Sequence, residues 1–151
     1  MISFKQIFLT IISVFFSLFV LFISNITNDI PLEDLKKEFK NKNSKFIEID
    51  GAFVHYVDEG EGIPVVLLHG TGASLHTWDL WAEKLKDKYR VIRITLPGFG
   101  LSGPRSDKKY KIKDYVNLLE SFVSQIGIEK FHLAGNSLGG SVAWLYTSFY
   151  E

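Results

Sequence analysis

Cysteine is missing from all 151 residues, which excludes a disulfide framework and any metal site built on thiolates, and suits either side of a membrane. Neither sign of charge is in excess: 17 basic residues balance 17 acidic ones. Nothing therefore argues for nucleic acid as a partner, and the partners to expect are small and uncharged, or lipidic. Histidine is scarce, with four in the chain and none after His132. No internal repeat or low-complexity tract occurs outside one apolar run. What remains, 46% hydrophobic and 23% charged, is the composition of one globular domain rather than a disordered chain.

Charge is also absent from residues 7–23 (IFLTIISVFFSLFVLFI), bounded by Ile7 and Ile23. At ~1.5 Å per residue the run reaches about 25 Å, enough for a thin bilayer. A buried core helix would need burial on every side to accommodate so even an apolar surface. A cleavable secretory signal is the closer competitor, but residues 23–29 (ISNITND) offer no A-x-A-like cleavage site. The expectation is a transmembrane signal anchor over residues 1–26 of a single-pass membrane protein. Lys36, Lys37, Lys40 and Lys42 outnumber Lys5 across the span, which by count places the rest of the chain inside. Those lysines are not adjacent to the span, however, and the short amino-terminal tail resembles that of a signal anchor with its domain exported, so the extracytoplasmic side is favoured.

Residues 27–43 read as a juxtamembrane helix and linker. In PLEDLKKEFK (residues 31–40), Leu32, Leu35 and Phe39 fall at helical spacing, with acids in the first turn and lysines later. From residue 44 the pattern is that of a folded domain. Two alternating strands, 45–49 and 52–58, flank the turn pair Asp50-Gly51 and predict an antiparallel hairpin. Val65 to Leu68 is apolar on both faces, like a buried parallel strand. A helix is predicted over 74–86 with Trp78, Trp81 and Leu85 on one stripe. A strand over 90–96 follows, then a helix over 112–126 stopped by Gly127, a strand over 130–134 and a helix over 138–150. Hairpin first, then strand and helix in alternation, argues an α/β sheet with crossover helices.

Three glycine-bearing phrases punctuate this order: HGTGAS from His69, LPGFGLS from Leu96 and AGNSLGG from Ala134. In the last, Ser137 lies between a predicted buried strand and a predicted helix, the setting in which G-x-S-x-G holds a serine hydroxyl on a strained turn. Gly135 and Gly139, lacking Cβ, let strand and helix approach. The helix starting at Leu138 points amide N–H groups and the positive end of its dipole toward an oxyanion. The loop after Val65 to Leu68 supplies the expected second donor, so the backbone N–H groups of Thr71 and Leu138 are the candidate oxyanion hole.

Taken in order, these phrases resemble the amino-terminal half of the α/β-hydrolase fold superfamily, over residues 44–151. The implied fold is an α/β-hydrolase-type sheet, an antiparallel hairpin followed by parallel strands with crossover helices, truncated after the elbow helix and preceded by a transmembrane helix. The resemblance makes Ser137 the nucleophile, with His69, Gly70, Gly72, Gly135, Asn136 and Gly139 in support, and it calls for no cofactor and no metal. Thr95 departs from the family, which usually has an aspartate there, and this puts the order of the following loop in question. Serine rather than aspartate at 137 disfavours the aspartyl-ester chemistry of epoxide hydrolases and haloalkane dehalogenases. It favours acyl-enzyme chemistry on a small-molecule or lipidic ester, or on a carbon–carbon bond next to a ketone. An acyltransferase and a non-catalytic membrane-tethered binding protein or remnant of the same fold are the alternatives.

The catalytic order of this fold, serine then acid then histidine, does not close. After Ser137 the only acid is Glu151 and there is no histidine. His55 and His132 read as packed or edge-facing strand residues, His76 as a possible pocket lining and His69 as a loop-shaper, so none is expected to be the base. The strand over 130–134, central in the family, becomes an exposed apolar edge, a hazard that stable domains avoid. The expectation is a fragment whose other half supplies acid, histidine and most of the pocket, with this chain alone inactive. Phe99 and Thr71 are expected in the pocket wall and Trp144 in the core.

Overall fold

The computed structural model describes residues 3–26 and 30–150, in two compact units, Met1–Pro31 and Leu32–Glu151. In the first, α1 (Phe4–Ser24) opens on a capping box: the Gln6 N–H donates to Ser3 Oγ, and the Ser3 N–H donates to Gln6 Oε1. Two of its hydroxyls bond back to the backbone, Thr10 Oγ1 donating to the Gln6 carbonyl and Ser24 Oγ to that of Leu21. Such self-satisfaction is what an apolar surrounding demands. At ~1.5 Å per residue its 21 residues reach about 31 Å, and the helix is long and apolar enough to cross a membrane.

The second unit begins with α2 (Leu32–Phe39). Then β1 (Ser44–Ile49) pairs antiparallel with β2 (Ala52–Glu59). Asp50 and Gly51 both take positive φ, 49° and 73°, as the two-residue hairpin turn requires. The sheet continues through β3 (Ile63–Leu68), β4 (Tyr89–Ile94) and β5 (His132–Gly135) in the spatial order β1-β2-β4-β3-β5. β4 is antiparallel to β2 and parallel to β3, and β3 is parallel to β5. Because β4 and β5 flank β3 on opposite sides, two crossovers of one hand put their helices on opposite faces. Val65, Leu67 and Val91 accordingly pack against Ala82 of α3 (Asp79–Leu85). Val66, Leu68, Ile92 and Ile94 pack against Val116, Leu119 and Phe122 of α4 (Ile112–Gln125) and Val142 of α5 (Leu138–Phe149). α4 starts where Asp114 accepts from the Lys111 N–H and ends before Gly127 at φ 72°.

Four expectations need correction. The single helix over 74–86 is a 3₁₀ turn, Leu75–Trp78, followed by the shorter α3. The buried positions are Leu75 and Ala82, while Trp81 is 61% exposed, because the inward stripe runs through 75, 78 and 82. The last strand is shifted, covering 132–135 rather than 130–134. Trp144 is no core residue but 74% exposed, since α5 turns Val142 and Tyr146 inward instead. Finally, Thr95 keeps the loop after β4 ordered. It is fully buried, its Oγ1 accepts from the Leu75 N–H (3.2 Å) and its carbonyl accepts from Ser102 Oγ (2.6 Å).

Candidate active site

Two residues, Asn136 and Ser137, turn the chain from the end of β5 into α5. Ser137 makes that turn with φ 49° and ψ −111°, a region that costs a residue with a Cβ of order 1–3 kcal/mol. Backbone hydrogen bonds on both sides hold it there. The Asn136 N–H donates to the Leu68 carbonyl (3.0 Å) and the Gly139 N–H to that of His69 (3.1 Å), so the turn is stapled to the carboxyl end of β3.

Glycine permits the convergence. A Cβ on Gly139 would collide with the Leu68 carbonyl, and one on Gly135 with the Gly139 carbonyl group. A Cβ on Gly70 would lie 2.8 Å from Asn136 Oδ1 and 3.2 Å from Ser137 Cβ. The loop after β3 is thus pressed against the serine itself. Gly72 has open space around it and is required instead by its φ of 71°. The stapling bonds use the amides of Asn136 and Gly139; among the described residues, the N–H groups of Leu138, next to them, and of Thr71, in the loop after β3, donate to nothing.

Thr71 and Leu138 line one cleft of about 570 Å³, walled by Pro97, Phe99, Tyr110 and Tyr115. Ser137 lines a second groove with Ile112, Gly140, Ser141, Trp144 and Leu145. The two adjoin at the Ser137–Leu138 peptide. Trp144, read from sequence as core, therefore belongs to the groove wall, and the signal was its spacing: Ser137, Ser141 and Trp144 share one helical face. Tyr115 of α4 is buried, and its hydroxyl donates to the Pro97 carbonyl (3.1 Å), fixing the opposite wall.

His69 is fully buried and its tautomer follows from its partners. The Leu96 N–H donates to Nε2 (2.9 Å), so Nδ1 carries the proton and donates to the Gly70 carbonyl (2.7 Å). Burial pushes its pKa below the usual imidazole value, with the Gly70 bond opposing. With both nitrogens committed, this neutral ring ties the loop after β3 to the loop after β4. His55 is buried in the hairpin with Nε2 2.8 Å from Ser44 Oγ. His76 lines a separate cavity beneath α2, and exposed His132 begins β5, the end away from Ser137. None of the four lines either groove at the serine. Among the described residues no cluster of three or more metal-ligating side chains forms.

Comparison with known proteins agrees with this architecture. The family model described as alpha/beta hydrolase fold matches residues 63–151. Over 119 residues the chain is 36% identical to a 2-hydroxy-6-oxononadienedioate/2-hydroxy-6-oxononatrienedioate hydrolase of Escherichia coli, covering 69% of this chain and 39% of that protein. Over 114 residues it is 34% identical to the dihydrolipoyllysine-residue acetyltransferase component of the acetoin cleaving system of Cupriavidus necator, covering 75% and 30%. Among solved structures it is similar to the Cif epoxide hydrolase from Acinetobacter nosocomialis, with TM-score 0.68 and 26% identity over 84% of this chain and 45% of that one. The chain spans 30% to 39% of the length of these two curated relatives.

Proposed function

The chain belongs to the alpha/beta hydrolase fold family, and from that premise we propose that it carries the nucleophile and oxyanion hole of a membrane-tethered serine hydrolase. Ser137 Oγ attacks the carbonyl carbon of a carboxylic ester, or of a ketone beside a cleavable carbon–carbon bond. The carbonyl electron pair moves onto oxygen, the Oγ proton passes to a base, and collapse expels the leaving group to give an acyl-enzyme. The N–H groups of Thr71 and Leu138 receive the oxyanion; loss of one such donor lowers turnover by ~10²–10³. None of the described histidines is placed to be that base: they are buried, bonded elsewhere or at the far end of β5.

One observation carries this reading: a strained, exposed serine sits beside two backbone donors with no partner of their own. Its test is reaction of the protein from its native membranes with a fluorophosphonate probe. Peptide mass spectrometry is expected to find the adduct on Ser137, and Ser137→Ala to abolish it. A protein that stays unlabelled would instead be a non-catalytic, tethered binding protein of this fold. Transfer to an acceptor other than water has its own motive in the relative named as an acetyltransferase component. Product analysis with an ester and an added alcohol separates the two outcomes.

A further inference from the structure

Helix α2 contains no buried residue, yet it roofs a cavity of about 260 Å³. Leu35 and Phe39 form one side, and Gly72, Ser74, His76 and Leu101 are among the residues on the other. Its attachments are few. Lys36 Nζ stands 5.4 Å over the Phe46 ring, while the pairs Lys36–Glu33 and Lys37–Asp34 are internal to the helix. Among the described residues, one hydrogen bond joins α2 to the rest of its unit: His76 Nε2 lies 3.0 Å from the Phe39 carbonyl oxygen.

The other ring nitrogen of His76, Nδ1, is 3.0 Å from Asp79 Oδ2. A backbone carbonyl and a carboxylate only accept, so both contacts are hydrogen bonds only when both ring nitrogens carry protons. The geometry is that of an imidazolium. The second oxygen of Asp79 accepts from Arg93, which also donates to Glu59 (2.7 Å). The remaining groups at hand are Lys40, just past α2, and His55 of β2, whose ring centroid is 6.5 Å from that of His76. Burial, assisted by the charges around it, lowers the His55 pKa to about 4, so above that value His55 is neutral and adds no repulsion.

We propose that doubly protonated His76 is a latch that holds α2 over this cavity, and that loss of its second proton releases α2 and opens the cavity beside residues 72–74. A neutral imidazole donates from one nitrogen only. It keeps the stronger, charge-assisted bond to Asp79 and turns a lone pair toward the Phe39 carbonyl. The bond surrendered is the one that tethers α2. The loop affected continues directly from Thr71, but the latch does not depend on what Ser137 does.

The chain has no native cysteine, so Glu38→Cys and Glu83→Cys introduce a unique pair of exposed spin-label sites on α2 and α3 in the full chain. Electron–electron distance measurements at pH about 5.5 and about 8.5 compare the protein in acid and in base. The distribution is expected to be narrow in acid. In base it should broaden to longer distances, with the open-to-closed ratio rising about 10- to 100-fold, the range of one hydrogen bond to a charged group. His76→Ala is expected to be open at both values, and His132→Ala to respond as the unmutated protein does. His76→Gln, which keeps a polar side chain but cannot titrate, is expected to lose the response whether or not the alanine variant folds. An unchanged distribution in the unmutated protein, or a response retained in His76→Gln, would overturn the latch.

Discussion

At Ser137 a φ of 49° with ψ of −111° places Cβ where glycine sits freely and serine does not, so an exposed hydroxyl is maintained against local strain. Replacing Ser137 by glycine is expected to raise unfolding stability by about 1 kcal/mol while removing the site of probe attachment. Gly139→Ala should act the other way, lowering stability by about 2–4 kcal/mol, because its methyl has no room beside the Leu68 carbonyl. Denaturant titration followed by circular dichroism measures both, and a Ser137→Gly variant no more stable than the parent would argue that the turn is unstrained. Thr95 shows the same economy of space at lower stakes. One hydroxyl at a buried position accepts the Leu75 N–H, so the loop after β4 stays ordered without the family's aspartate.

Among the described strands, β5 alone contains no buried residue. It is bonded to β3 on one side only, and His132 and Ala134 are exposed along it. On α5, Trp144 and Phe149 are exposed as well, at 74% and 57%. An unpaired strand next to apolar surface is a template for pairing between copies. With α1 covered by detergent, the protein is expected to self-associate with rising concentration in sedimentation velocity, and Ala134→Lys, which charges the open edge, to shift the onset at least several-fold upward. Equal association of the two would move the cause from β5 to the apolar surface of α5. The opposite edge, β1, is shorter of such surface because Phe46 stacks on His55, 4.9 Å between centroids.

Across the whole molecule, buried histidine sets the response to acid. The native His55 pKa of about 4 lies below the unfolded value of about 6.5. Between those values the unfolded chain binds a proton that the native state refuses. Stability is therefore full above about pH 6.5 and falls as pH drops, by about 3 kcal/mol at the lower limit. His69, also lowered by burial, adds in the same direction. Urea midpoints measured from pH 7 to pH 5 are expected to decline, and His55→Gln to flatten the slope. A slope unchanged by that substitution would assign the acid sensitivity elsewhere.

Local rules made much of this protein legible in its sequence. Asp50-Gly51 announced the hairpin, because only a short list of residues tolerates two successive positive φ values. The uncharged run at residues 7–23 announced α1, and the periodicity of residues 112–126 announced α4, because burial of one face repeats with the helical turn. Ser137, flanked by glycines between strand and helix, announced the elbow. What the chain could not state locally was which side of each element would find a partner. Trp81 and Trp144 are as apolar as any core residue, yet they are exposed, since the sheet offers α3 and α5 only one face each. The tautomer of His69 depends on Leu96, 27 positions away, and the contact of His76 with Phe39 spans 37 positions. Sequence alone determined most of the secondary elements, though not their limits around 74–86 and 130–135, and the turn that presents Ser137, because those follow from neighbours along the chain. Only the tertiary structure decided which amides stay unpaired beside that serine and which histidines are already committed, because hydrogen-bond partners are chosen in space.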